Sequence, residues 1–175
     1  MIRRSSNEIL FTEKESWFND NFLCVADENR EMLYDLKCSV LLVKTIQILD
    51  AAKNDVAVIK QELKSLLPKY SVYVGNENRV TIKKLFNPIF PKYELEGDGW
   101  EMRQEALCYQ YELIRNGRLV ATITRDDYTS SPGRAVDMTD APADDQLTAL
   151  AMAVAIEYGI NFEALQTAKE KSKNN

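Results

Sequence analysis

Leu147-Thr148-Ala149-Leu150-Ala151-Met152-Ala153-Val154-Ala155-Ile156 is an apolar run without a polar side. Placed at about 100° per residue, Leu147, Leu150, Val154 and Tyr158 share one face of a helix. Met152 and Ile156 fall opposite, and Ala149, Ala151, Ala153 and Ala155 fill the flanks. A helix over about residues 145–158 must therefore be covered all round. Asp144 and Asp145 are placed to cap it and to oppose its N-terminal dipole, and Gly159 to end it in a left-handed conformation. About fifteen residues at about 1.5 Å each fall short of a bilayer of roughly 30 Å, so the expected cover is protein. A short second helix is expected from Asn161, docked by Phe162 and Leu165, with Lys169 to Asn175 solvated.

The rest of the chain supplies that cover. Four units of alternating segment, polar turn and alternating segment occur. They are Phe22 to Ala26 with Met32 to Leu36, Thr45 to Leu49 with Val56 to Lys60, Tyr70 to Val74 with Arg79 to Lys84, and Tyr109 to Arg115 with Arg118 to Arg125. The last turns through Asn116-Gly117, a pair that tolerates the positive φ angles of a two-residue hairpin loop. Further strands are expected at Glu8 to Lys14, Lys92 to Leu95, Trp100 to Arg103 and Arg134 to Thr139. A heptapeptide also recurs after 23 residues: Leu67-Pro68-Lys69-Tyr70-Ser71-Val72-Tyr73 and Phe90-Pro91-Lys92-Tyr93-Glu94-Leu95-Glu96. Solenoids repeat at such intervals, but alternation within units, true hairpin turns and uneven spacing favour an antiparallel sheet. So many strands avoid exposed edges best by closing on themselves, with the helix as plug.

Length and composition agree with one domain, residues 1–160, followed by a helical tail, 161–175. The chain has 175 residues, 45% of them apolar, enough for a real core. A net charge of -5 argues against a general nucleic-acid binder. Nothing in the N-terminal residues resembles the apolar core of a signal peptide, and no run is long enough for a transmembrane segment. Cys24, Cys38 and Cys108 follow no metal or redox spacing; set among apolar neighbours, they are expected to be reduced and buried, hence a cytoplasmic protein.

Several segments, in order and spacing, resemble the LURP-one-related family: Leu63 to Val74, Thr81 to Phe86, Phe90 to Tyr93, Gly97 to Glu101, Tyr111-Glu112-Leu113 through Ile123, and Asp145 to Tyr158. The resemblance spans about Ile9 to Gly159. It implies kinship with the Tubby-like and phospholipid scramblase-like group, whose fold is a closed twelve-stranded β-barrel around a hydrophobic C-terminal helix. The family brings no agreed catalytic residues. Leu107-Cys108-Tyr109-Gln110 stands where members often carry Trp and His, and the Asp126 to Arg134 loop lacks the usual aromatic residues.

Chemistry is sparse. The chain has no histidine, which removes Ser-His-Asp and Cys-His catalysis and histidine metal ligation. Glu94, Glu96, Asp98, Glu101 and Glu105 surround a Gly-Asp-Gly turn without the spacing of a calcium loop, so a solvated acidic loop is expected rather than a metal site. No catalytic residue, metal or cofactor is expected. The remaining signal is electrostatic: between Lys60 and Lys92 stand seven bases against two acids. Alternation assigns these charges to the outside of the sheet. Solvated strand lysines that deter edge pairing account for them most simply. The functional reading is a non-enzymatic barrel, peripheral to a membrane, that binds an anionic phospholipid headgroup or small anion through Lys69, Lys83, Lys84 and Lys92. The alternative is a protein-interaction or scaffold module without a small ligand.

Overall fold

The structure, a computed structural model, describes residues 5–10, 23–26, 32–40, 42–87, 92–105, 110–126 and 133–156. Along them run β1 (Ser5–Leu10), β2 (Leu23–Ala26), β3 (Met32–Val40), β4 (Lys44–Leu49), β5 (Asp55–Gln61), β6 (Lys69–Val74), β7 (Glu77–Leu85), β8 (Lys92–Glu96), β9 (Trp100–Glu105), β10 (Gln110–Arg115), β11 (Arg118–Asp126), β12 (Gly133–Met138) and α1 (Ala143–Val154). The chain is mostly β, antiparallel throughout, with one helix among the described residues. Hydrogen bonding orders the strands β8, β7, β6, β5, β4, β3, β2, β1, β12, β11, β10, β9. Every neighbour but one is also a neighbour in sequence. The exception is β1 on β12, from Ser5↔Met138 to Ile9↔Arg134. The ends of the order, β8 and β9, follow one another in the chain across residues 97–99, and no ladder joins them among the described residues.

Alternation sets the buried face. Ile46 and Ile48 of β4, Ala57 and Ile59 of β5, Tyr70, Val72 and Val74 of β6, and Val80 and Ile82 of β7 are buried; Gln47, Ser71, Tyr73 and Thr81 stand between them on the other parity, with Val58 as the apolar exception. Tight turns hold the register. Asn116 and Gly117 have φ of 49° and 77°, as a primed two-residue turn requires. Gly75 and Asn76 behave alike, at 58° and 68°, so β7 starts at Glu77 and the expected four-residue turn shrinks to two. In the β4–β5 connection the Asn54 N–H donates to Asp50 Oδ1 at 2.9 Å, the side chain replacing a backbone turn bond.

From Thr148 to Ile156 no residue is more than 2% exposed, Met152 and Ile156 included. The helix touches β5, β6 and β7 on one flank and β11 and β12 on another. Each large apolar side chain so removed from water contributes roughly 1.5–3 kcal/mol, and the alanines let the strands approach. Thr148, the one polar residue of this stretch, donates its hydroxyl to the Asp144 carbonyl at 2.6 Å and leaves no open donor.

Two expectations are corrected. Pro142, not an aspartate, is the N-cap; its carbonyl accepts the N–H groups of Asp145 and Gln146, and no side chain caps the helix. Asp144 and Asp145 lie in the first turn, with their charge still toward the positive end of the dipole. Cys38 is exposed rather than buried, because β3 ends in a stretch, Lys37 to Ser39, whose side chains all stand in solvent. Desolvation nonetheless holds its thiol above the ordinary value, with Lys44 pulling the other way. The side chains of Cys24 and Cys108, the end at Gly159 and the second helix lie outside the described residues.

Candidate functional site

The repeated heptapeptide marks β6 and β8, the two strands that flank β7. Tyr70 faces Ile82 and Tyr93 faces Lys84 across those ladders, and both tyrosines are buried. Lys69 directly opposes Lys83. Lys83 in turn opposes Glu94, and Lys92 opposes Leu85. Lys69, Lys83 and Lys92 therefore share the outer face. Lys84 does not: it has the parity of Ile82 and Tyr93, the core side, at the end of its strand, which corrects the expectation that all four lysines line the outside.

Acids from inside and outside the counted stretch reach this surface. Lys69 Nζ bonds Glu96 at 2.9 Å and lies 3.9 Å from Glu62. Glu96 raises the pKa of Lys69 through that bond, and Lys69 lowers that of Glu96. Glu62 turns back to accept the Ser71 hydroxyl at 2.5 Å, and Ser71 meets Thr81 at 3.0 Å. Lys60 lies over the Tyr73 ring, 5.2 Å from its centroid. The basic excess counted along the sequence is thus reduced in space, because β8 brings Glu94 and Glu96 beside β7. Among the described residues, Lys64, Lys83, Lys84 and Lys92 remain without a salt bridge. All four lie where β5, β7 and β8 meet the longer connections.

A second polar cluster sits at the other end, beside the start of α1. Asp145 Oδ1 takes Arg79 Nη2 at 3.2 Å and lies 3.7 Å from Arg115 Nε. Arg115 also reaches Asp98 at 3.4 Å and stacks over Trp100, 5.4 Å from the ring centroid. Arg115 Nη1 and Trp100 Nε1 are buried without a hydrogen-bond partner among the described residues; the stacked ring face partly offsets the loss at the guanidinium. β7 and β10 lie near opposite ends of the strand order, so Asp145 ties both to the helix. Local sequence gives no sign of this cluster, since Arg79 and Asp145 stand 66 residues apart. Of the acids around the Gly-Asp-Gly turn, Glu96 and Asp98 serve as ion-pair partners.

No helix among the described residues is long and apolar enough to cross a membrane. Comparison with curated proteins returns no match. Among solved structures, the crystal structure of a protein from Arabidopsis thaliana is similar, with a TM-score of 0.55 at 14% identity, over 87% of this chain and 88% of that one. That likeness concerns the fold. The model of the LURP-one-related family matches residues 8–157, and the chain belongs to that family.

Proposed function

We propose that the sheet closes around α1 as a Tubby-like barrel and that the protein is a non-enzymatic, peripheral binder of phosphate-bearing anionic headgroups on the cytoplasmic side of a membrane. Closure is supported by the contact of α1 with strands from both halves of the order and by the adjacency of β8 and β9 in the chain. The binding reading is carried by one observation: Lys64, Lys83, Lys84 and Lys92 gather at one end of the sheet and none of them is in a salt bridge among the described residues, although Glu94 stands opposite Lys83 in the ladder. Lysine there presents a mobile point charge suited to phosphate. Each such lysine contributes about 1 kcal/mol near an anionic surface, within a Debye length of about 8 Å at physiological salt.

Co-sedimentation tests this with vesicles of phosphatidylcholine alone and of phosphatidylcholine with phosphatidylserine, and calorimetry with soluble inositol hexakisphosphate separates lipid from free phosphate. The expected result is salt-sensitive binding to the anionic vesicles only. Combining Lys83→Glu, Lys84→Glu and Lys92→Glu is expected to reduce it about a hundredfold or more. Equal binding by that variant, or no binding of the parent protein at low salt, would overturn the reading.

A further inference from the structure

Leu42, Leu63, Leu66 and Phe86 are 87%, 68%, 104% and 84% exposed; among the described residues one other large apolar side chain, Leu33 at 37%, stands in solvent. Leu42 belongs to the β3–β4 connection, Leu63 and Leu66 to the β5–β6 connection, and Phe86 follows β7 directly. In an antiparallel ladder alternate connections emerge at the same end, so Leu42, Leu63, Leu66 and Phe86 stand at one end of the sheet together. The roots of these connections are tied. The Lys44 N–H donates to Gln61 Oε1 at 3.3 Å, and the Lys84 N–H to the Pro68 carbonyl at 2.9 Å. Strands about 4.8 Å apart confine the tips to a width of roughly 25 Å.

A single exposed leucine is ordinary, but four large apolar side chains at one end of a sheet call for an apolar partner. These side chains belong to three different connections and are each largely exposed, so they suit a soft apolar phase better than a shaped protein surface. Lys64, Lys83, Lys84 and Lys92 stand beside and just behind them. Of the acids near that end, Glu62 is turned to Ser71 and Lys69, and Glu94 stands opposite Lys83. Apolar tips above cationic side chains match the layering of an anionic bilayer, where acyl chains lie beneath phosphates.

We infer that this end docks on an anionic bilayer with Leu42, Leu63, Leu66 and Phe86 inserted below the phosphates, while the lysines stay at headgroup depth. The inference rests on the headgroup reading above and adds insertion and orientation to it. The test uses a Leu66→Trp protein and phosphatidylcholine and phosphatidylserine vesicles brominated on their acyl chains, compared with the tryptophan emission of the parent protein. The added indole is expected to shift to the blue and to be quenched by bromine. A second variant combines Leu63→Ser, Leu66→Ser and Phe86→Ser, all exposed positions. It is expected to lose about a hundredfold or more in vesicle partition, as each apolar side chain returned to water costs roughly tenfold or more. Its binding of inositol hexakisphosphate should be unchanged. Sedimentation with vesicles while the emission of the added indole stays unquenched would overturn insertion and leave headgroup binding standing; no sedimentation at all would overturn both. Serine variants that bind vesicles normally but lose a stoichiometric protein complex would assign the tips to a protein and overturn the inference.

Discussion

The rings of Tyr93 and Tyr111 meet edge to face with centroids 5.8 Å apart, although their strands stand near opposite ends of the hydrogen-bonded order. β8 and β10 come together around β9, and both rings are buried in the same core. The contact predicts coupling between β8 and β10. In a double-mutant cycle with Tyr93→Leu and Tyr111→Leu, urea unfolding should show an interaction of about 0.5–1.5 kcal/mol. Strict additivity would mean that the two ends of the sheet do not support one another.

Met152 reports on the wrapping of the helix. Met152→Lys places an unpaired ammonium among apolar side chains on every side and is expected to abolish cooperative folding. Met152→Leu conserves volume and should cost less than about 1.5 kcal/mol. Near-UV circular dichroism and urea midpoints separate the two outcomes; a Lys variant as stable as the Leu variant would show that this face meets water.

Asp145 holds two arginines from separate regions of the sheet. Asp145→Ala leaves Arg79 and Arg115 short of their shared partner in a mostly buried position, an expected loss of about 1–3 kcal/mol. Glu77, Asp98 and Asp144 lie near enough to compensate in part. The Arg79→Ala and Asp145→Ala effects should be non-additive in thermal unfolding, whereas full additivity would deny the link.

The Lys69–Glu96 pair predicts a pH window. Glu96 has a lowered folded pKa, so its contribution is present above the unfolded value, about 4.3, and is lost as pH falls through the folded one. Lys69 has a raised pKa, so its share is complete below about 10.4 and is lost as pH rises through the folded value. Both groups touch solvent, and the effect on stability is small. A carboxyl chemical-shift titration checks it: Lys69→Met should raise the Glu96 midpoint, and an unmoved midpoint would remove the assigned cause.

The strands were legible because their signals are local. Alternation and turn residues lie within about ten positions of each other, and Asn116-Gly117 alone locates one hairpin. The burial of α1 was legible for a related reason, since a helix apolar on every side states its own environment. Ion pairing was not legible, because partners such as Lys69 and Glu96 become neighbours only after β7 separates β6 from β8. Counting charges from Lys60 to Lys92 stopped short of the acids that the ladder brings alongside. The parity of Lys84 follows from the β7–β8 register, which composition does not reveal. The exposed leucines carried a readable trace, Leu63 and Leu66 beside Lys64 between two strands, but apolar loop residues fold inward as often as outward. Cys38 shows the converse: apolar neighbours in sequence do not ensure an apolar environment at the end of a strand.

Because α1 follows all twelve described strands in sequence, the helix that fills the core leaves the ribosome after the strands that pack against it. A nascent chain released only as far as β12 has an unfilled apolar interior, a natural client for chaperones. The pairing of β1 with β12 adds a long loop closure to the same late moment. Folding of this sheet therefore cannot finish strand by strand during synthesis, and is committed only when α1 arrives.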